Sequence, residues 1–184
     1  MANTLSSMLQ LGTEAPNFNL SDTKTDKFIS LKDAKGKVGT LVMFICNHCP
    51  FVLHVNEQLV KLANDYMQKG IGFVAISSND VANYPQDSPK FMKEQAKKVG
   101  YPFPYLYDET QEVAKFFNAA CTPDFYLFNS ELKLVYRGQL DDSRPSLNIP
   151  VTGKDIRNAI NSLLAGKEVD PKQIPSMGCN IKWK

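Results

Sequence analysis

The fold is decided by the stretch Thr40-Leu-Val-Met-Phe-Ile-Cys46-Asn47-His48-Cys49-Pro50. Six apolar or β-branched residues lead into two cysteines separated by two residues, which predicts a buried strand that ends at the pair. Behind the pair, apolar residues at three- and four-residue spacing predict an amphipathic helix that stops at Gly70. A helix N-terminus favours thiolate over thiol, because unpaired N–H groups and the positive end of the helix dipole gather there. We therefore expect Cys46 and Cys49 to cycle between a dithiol and a disulfide.

The segments that follow predict the rest of the sheet. A buried strand at residues 71–76 completes a strand–helix–strand unit, so the two strands should be parallel with a right-handed crossover. Asp108 and Thr152 each open a stretch with the spacing of a helix capping box. Further expected elements are two short strands around residues 21–27, a helix over 89–100, a strand at 105–107, a hairpin over 125–136 and a helix over 156–164. This order predicts a mixed sheet with helices on both faces.

Length and composition place limits on the function. At 184 residues the chain fits one domain, 1–184, with an N-terminal strand extension at 1–37 and a C-terminal tail at 167–184. The net charge of +2 comes from interspersed charges, so we expect neither a nucleic-acid nor a membrane partner. The first residues do not have the pattern of a secretory signal, which predicts a cytoplasmic location. In a reducing cytosol, four cysteines indicate catalysis or metal binding rather than structural disulfides.

The pattern Cys46-Asn-His-Cys49, followed far downstream by Thr122-Pro123, resembles the thioredoxin superfamily. The resemblance is closest to its redoxin branch, which includes peroxiredoxins and alkyl hydroperoxide reductase/thiol-specific antioxidant-like proteins. It implies a thioredoxin-like α/β fold with N-terminal extended strands, and a cis peptide bond that sets Pro123 against the cysteine pair. Matching motifs are Tyr84-Pro-Gln-Asp-Ser-Pro89, Phe103-Pro-Tyr-Leu-Tyr-Asp108, Tyr136-Arg-Gly-Gln-Leu-Asp-Asp142 and Gly178-Cys-Asn-Ile-Lys-Trp183.

The chain differs from thioredoxins and from peroxiredoxins at positions that matter for their chemistry. Met43 stands at the strand position where thioredoxins keep a buried acid for proton transfer. Peroxiredoxins have threonine at the place of Cys46, a peroxidatic cysteine at the place of Cys49, and a proline where this chain has Val42. These departures favour dithiol chemistry over that of a standard peroxidase.

The resemblance also implies roles for the central residues. Cys46 would be the exposed nucleophile that attacks a partner disulfide, and the buried Cys49 would resolve the mixed disulfide. His48 occupies the place it has in the Cys-x-His-Cys motif of protein disulfide isomerases, where an imidazole favours the thiolate and makes the pair more oxidising. The alternative is that His48 is only a polar loop residue.

Three further residues are possible auxiliaries. Cys121 lies two residues before Pro123 and should be close to the pair, where it forms an alternative disulfide with Cys49 or Cys179 or is a small buried side chain. Cys179 lies in the tail, which could fold back so that Cys179 serves as a resolving cysteine. The alternative, which we favour, is that the tail only packs against the protein. Arg137 is a counterpart of the arginine near the peroxidatic thiolate of peroxiredoxins, or a surface charge.

A zinc site is the weaker interpretation of the same cysteines. His54 could join them as a ligand, but five residues beyond Cys49 on a helix it should point away from the pair. We therefore expect no metal and no organic cofactor. The sequence predicts a thiol–disulfide oxidoreductase that acts on protein or small-molecule disulfides, with electrons from a thioredoxin- or glutathione-like donor. The alternatives are a peroxiredoxin-like peroxidase that forms a sulfenate at Cys49, and a non-enzymatic metal- or partner-binding module.

Overall fold

A computed structural model describes residues 3–184, and within them the chain forms ten strands and five α-helices. The strands are β1 (Asn3–Leu5), β2 (Asn19–Asp22), β3 (Phe28–Ser30), β4 (Gly39–Phe44), β5 (Ile71–Ser77), β6 (Tyr105–Tyr107), β7 (Cys121–Thr122), β8 (Asp124–Asn129), β9 (Leu134–Gly138) and β10 (Met177–Asn180). The helices are α1 (Leu31–Ala34), α2 (Pro50–Tyr66), α3 (Pro89–Val99), α4 (Glu112–Phe116) and α5 (Lys154–Leu164). Short 3-10 turns lie at Met67–Lys69 and Pro85–Asp87. None of the helices in this part of the chain is long and apolar enough to cross a lipid bilayer.

The larger sheet has seven strands in the order β3-β2-β6-β5-β4-β8-β9. Its central strand β4 pairs in parallel with β5 and antiparallel with β8, which confirms the predicted strand–helix–strand unit and the mixed sheet. The predicted strand at residues 105–107 forms β6, and the predicted hairpin forms β8 and β9. The sheet therefore delivers the cysteine pair to the end of its most central strand.

Strand β4 is buried along its whole length because helices cover both of its faces. Leu41 and Met43 face the cluster that α2, α3 and α5 contribute to, whereas Val42 and Phe44 face the cluster with α1 and α4. Strands covered on both sides read as continuous apolar runs, which explains the uninterrupted sequence before Cys46. The prediction of helices on both faces is confirmed.

The two predicted capping boxes are wrong. Helix α4 begins later than expected, and the Asp108 carboxylate instead accepts a hydrogen bond from the N–H of Ala114 at 2.9 Å. At helix α5 the N-cap residue is Gly153, and the hydroxyl of Thr152 accepts from the N–H of Lys154 at 3.3 Å rather than from that of Asp155. There the carboxylate of Asp141, from the preceding loop, accepts from the N–H groups of Thr152 at 2.7 Å and Gly153 at 2.6 Å. Carboxylates thus stabilise the starts of both helices, but through hydrogen bonds other than those of a capping box.

The smaller sheet joins segments from near both ends of the chain. Its order is β1-β10-β7, with β10 antiparallel to both neighbours. Cys179 of β10 lies opposite Thr122 on one side and opposite Asn3 on the other. The tail is therefore a strand rather than only a packing segment, and the ring of Trp183 beyond it remains 43% exposed.

Candidate active site

The cysteine pair lies where β4 meets α2. Cys49 is the N-cap residue of α2, and Pro50 is its first residue, where a missing N–H costs nothing. Cys46 and Cys49 are only 2% and 0% exposed. The structure thus differs from the expectation that Cys46 is exposed, because the hydroxyl of Thr122 lies against its Sγ at 3.3 Å.

The downstream loop touches both cysteines. The peptide bond between Thr122 and Pro123 is cis, as the resemblance implied. The Thr122 hydroxyl contacts Cys46, and its carbonyl oxygen lies 3.1 Å from the Sγ of Cys49, to which a protonated Cys49 donates. One residue of the cis-proline turn therefore contacts both sulfurs, and any change in the oxidation state of the pair is felt at this turn.

The two thiols differ sharply in acidity. The pKa of Cys49 is lowered to about 5, chiefly because Cys46 donates a hydrogen bond to its thiolate. The Cys179 thiol and the N–H groups of Val52 and Cys179 lower it further, against the opposing effect of burial. The pKa of Cys46 is raised well above its ordinary value by the hydrogen bond to Cys49, by burial and by the charge of Asp87. Near neutral pH the pair therefore shares one proton and holds its negative charge on Cys49.

His48 is anchored by a buried acid. Its Nδ1 lies 2.6 Å from Oδ2 of Asp87, a residue whose side chain is fully buried. The carboxylate of Asp87 also accepts from the N–H of Asn47 and from the amide of Asn79, both at 2.8 Å. The His48 ring stacks on Tyr84 with 5.7 Å between the ring centroids. This shell fixes the imidazole next to the pair.

Cys46, His48 and Asp87 form one compact group. The Cys46 Sγ, one nitrogen of His48 and one oxygen of Asp87 all lie within 4.8 Å of one another. Two ligands on a tetrahedral zinc with bonds of about 2.0–2.1 Å would stand about 3.3 Å apart. The contact of 2.6 Å between His48 and Asp87 is shorter than this, so the two side chains lie too close together to be two ligands of one zinc. The group fits proton transfer better than metal binding.

His54 lies beside the cis-proline turn. It lines a cavity of about 20 Å³ together with Pro123 and Arg144. It is not part of the compact group around Cys46, which agrees with its expected direction on the helix.

Sequence reasoning missed two buried acids. Asp87 lies in the motif Tyr84-Pro-Gln-Asp-Ser-Pro89, which the resemblance included without assigning a role to its acid. Asp124 directly follows Pro123 and is fully buried, and burial raises its pKa to about 7. Its carboxylate accepts from the hydroxyl of Tyr126 at 2.9 Å. The sequence signal that could have identified them is an aspartate within a matching motif, as for Asp87, or directly after a motif residue, as for Asp124.

The remaining two cysteines lie on β7 and β10. The Sγ of Cys179 is 2.8 Å from the Sγ of Cys49, and its pKa is raised to about 12, first by burial. Cys121 is fully buried, and burial raises its pKa well above the ordinary range. Its Sγ lies 3.7 Å from the carbonyl oxygen of Pro123. Both cysteines are close to the turn, and the sulfur of Cys179 contacts that of Cys49.

Arg137 makes its hydrogen bonds away from the cysteines. Its Nε donates to the carbonyl of Leu9 at 2.8 Å, and its Nη1 donates to the side chain of Gln173 at 2.7 Å. On β9 it lies opposite Tyr126, whose ring packs in the cluster on the far side of the sheet from α2. The proposed counterpart of the peroxiredoxin arginine therefore ties the N-terminal segment to the tail.

Solved structures with nearly the same fold exist for bacterial proteins without an assigned function. The chain is similar to an uncharacterized conserved protein from Geobacillus kaustophilus, with 60% identity, a TM-score of 0.99, and coverage of 100% of this chain and 97% of that one. It is also similar to a hypothetical protein from Sinorhizobium meliloti 1021, with 46% identity, a TM-score of 0.96 and coverage of 98% of both chains. The thioredoxin domain of a thiol-disulfide oxidoreductase from Bacteroides vulgatus shares the fold at 22% identity, with a TM-score of 0.61 and coverage of 71% of this chain and 89% of that one.

None of the curated proteins matches the chain, but a family model does. Residues 10–156 match the family Redoxin, and this match covers β2 to β9 and both cysteines of the pair. The expected role is thus that of a thiol-dependent redox protein of the oxidoreductase or peroxidase kind. Its thioredoxin-like sheet and the extent of this match show that the chain belongs to the Redoxin family.

Proposed function

We propose that the protein is a thiol–disulfide oxidoreductase that cycles Cys46 and Cys49 between a dithiol and a disulfide. The observation that carries this proposal is the placement of both thiols where β4 meets α2, with Thr122 in contact with the sulfur of each. A stabilised thiolate is the reactive form in thiol–disulfide exchange. The substrates are protein or small-molecule disulfides, and a thioredoxin- or glutathione-like donor restores the dithiol.

The reaction has two exchange steps. Cys46 loses its proton to Cys49 along their hydrogen bond and attacks one sulfur of the substrate disulfide, which releases the first substrate thiolate. Cys49 then gives up that proton and attacks the Cys46 sulfur of the mixed disulfide, which releases the second substrate thiolate. The pair starts with one proton and one negative charge, so the products are one protein disulfide, one substrate thiol that takes the proton from Cys49 and one substrate thiolate that solvent protonates.

In this proposal, His48 and Asp87 accept and return the proton that the cysteine pair loses and gains during the reaction. A nitrogen of His48 lies within 4.8 Å of the Cys46 sulfur, and Nδ1 of the same ring lies 2.6 Å from Oδ2 of Asp87. An imidazole at such a distance accepts or returns a proton through one bridging water. In this proposal Asp87 takes over the task for which thioredoxins use an acid at the position of Met43.

The test is reduction of insulin or of glutathione disulfide by the purified protein. We expect activity in the wild type and in Cys121→Ser, which removes a buried thiol that has no assigned step. We expect a loss of at least about a hundredfold in Cys46→Ser, because no mixed disulfide can form. Activity that survives Cys46→Ser would contradict the assignment.

A peroxidase centred on Cys49 is the second candidate. The observation that favours it is that the lowered pKa, about 5, belongs to Cys49, which is fully buried and thus accessible only to a small oxidant. The Cys49 thiolate would attack a peroxide oxygen and leave a sulfenic acid and an alcohol or water. Condensation of that sulfenic acid with the Cys46 thiol would then form the disulfide and release water.

The second candidate needs a variant in which the sulfenic acid cannot condense. Cys179 is also placed for condensation, with its sulfur 2.8 Å from that of Cys49, so the variant is Cys46→Ser with Cys179→Ser. The peroxidase role predicts that peroxide followed by dimedone labels Cys49 in this double variant. The matched control replaces Cys49 by Ser as well and should not be labelled. A double variant without label at Cys49 speaks against the peroxidase.

A further inference from the structure

The C-terminal strand holds a third cysteine directly against the pair. In β10, Cys179 lies opposite Thr122 of the cis-proline turn. The neighbouring Gly178 permits this approach, because a Cβ at that position would fall 2.0 Å from the carbonyl oxygen of Thr122. Strand β1 pairs along the other edge of β10. The position of Cys179 is therefore fixed by strands on both sides.

The sulfur of Cys179 is within reach of a covalent bond to Cys49. The two Sγ atoms lie 2.8 Å apart, and both residues are almost fully buried. A disulfide bond is about 2.05 Å long, so its formation needs a movement of less than about 1 Å. We propose that Cys49 forms a second, alternative disulfide with Cys179, and that the oxidised protein exchanges between the Cys46–Cys49 and the Cys49–Cys179 disulfides. This proposal rests on the proposed function, which supplies the first disulfide.

The exchange is a balanced thiol–disulfide reaction. The Cys179 thiolate attacks the Cys49 sulfur of the Cys46–Cys49 disulfide, the bond between Cys49 and Cys179 forms, and the bond to Cys46 breaks. Cys46 leaves as a thiolate and takes up a proton in place of the one that Cys179 lost. No external oxidant or reductant is consumed, since the number of disulfides does not change.

The electrostatics of the site favour this step in the oxidised protein. Burial, the hydrogen bond to Cys49 and the negative charge of Cys49 raise the pKa of Cys179, whereas Lys182 opposes them. When Cys49 is part of a disulfide, it carries no charge. The hydrogen bond to Cys49 and its negative charge then no longer raise the pKa of Cys179. The thiolate of Cys179 thus becomes easier to form when Cys49 is available for attack.

The second disulfide would return Cys46 to the thiol form. Cys46, Cys49 and Cys179 are 2%, 0% and 3% exposed, so the three sulfurs are shielded from solvent to nearly the same degree. Cys46 remains the group that reverses the exchange by attacking Cys49. The Cys49–Cys179 disulfide therefore stores the oxidised state while the Cys46 thiol is regenerated.

The test is peptide mapping after oxidation of the full chain with glutathione disulfide, acid quenching and alkylation. Trypsin leaves Cys46 and Cys49 together on residues 38–61 and places Cys179 on residues 173–182. We expect two products from the wild type, an internal link within 38–61 and a cross-link from 38–61 to 173–182. The variant Cys46→Ser should give the cross-link alone, which assigns it to Cys49.

Two further variants make the outcome decisive. Cys179→Ser should keep the internal link and lose the cross-link, whereas the matched control Cys121→Ser should keep both. An internal link in the wild type without any cross-link, there or in Cys46→Ser, overturns this inference and leaves the proposed function standing. A cross-link in Cys46→Ser supports the inference even where the wild type forms no internal link, the result that would contradict the proposed function.

Discussion

The acidity of Cys49 gives the sharpest prediction, and the variant that tests it is Cys46→Ala. The pKa of Cys49 is lowered from 9.0 to about 5, a difference of about 4 units or about 5 kcal/mol. At pH 7 about 99% of Cys49 is then thiolate, compared with about 1% for a thiol of ordinary pKa. The largest cause is the hydrogen bond from Cys46, and a hydrogen bond to a charged group is worth about 1.5–3 kcal/mol. We therefore expect Cys46→Ala to raise the pKa of Cys49 by about 1–2 units.

The assay follows thiolate absorbance near 240 nm against pH, together with the rate of alkylation of Cys49 by iodoacetamide. The wild type should show a transition near pH 5, Cys46→Ala should show it near pH 6–7, and Cys49→Ser should not show it. Cys121→Ser is the matched control and should titrate like the wild type, because the pKa of Cys121 lies far above this range. The reasoning is refuted if the wild type shows no transition below pH 8, or if the transition persists in Cys49→Ser.

Three further changes test the rest of the site. Asp87→Asn should lower the pKa of Cys46, since the charge of Asp87 is one cause of its elevation, and slower alkylation of Cys46 at pH 8 would contradict this. The pKa of Asp124 is about 7 in the native state and 3.8 in the unfolded chain. Between these pH values the native state binds the proton more tightly than the unfolded chain, so the free energy of unfolding falls by about 4 kcal/mol as the pH rises from 3.8 to 7. Asp124→Asn should remove that decline, and urea unfolding curves whose pH dependence matches the wild type would show the explanation to be wrong. Gly178→Ala should cost about 1–3 kcal/mol of unfolding free energy, because its Cβ would collide with the carbonyl of Thr122, and unchanged thermal stability would refute the close approach.

The parts of the fold that could be predicted are those that depend on local pattern. The apolar run before Cys46 and the three-and-four spacing after Pro50 are direct consequences of a strand buried on both faces and a helix buried on one. The turn around Pro123 was accessible through the resemblance rather than through periodicity. In each case the residues that determine the element lie within it.

The parts that could not be predicted depend on pairing between distant residues. Leu5 pairs with Met177 through β10, and no local pattern connects two short strands so far apart in the chain. The buried acid beside the motif is Asp87 rather than a residue at the position of Met43, because the loop after β5 brings Asp87 against Asn47 and His48. The acidity of Cys49 likewise depends on Cys179, which reaches it only through the smaller sheet.

The amide of Asn79 links the tail to the imidazole. Its Nδ2 donates to Asp87 at 2.8 Å, while its Oδ1 accepts from the N–H of Lys182 at 2.9 Å. A rotated amide would set its oxygen against the carboxylate and its NH₂ against an N–H, so only one orientation satisfies both partners. The tail segment at Lys182 and the carboxylate that aims His48 thus share one hydrogen-bonding side chain. Any partner that lifts this segment from the protein would also loosen the imidazole, and the reactivity of the cysteine pair would report on the state of the tail.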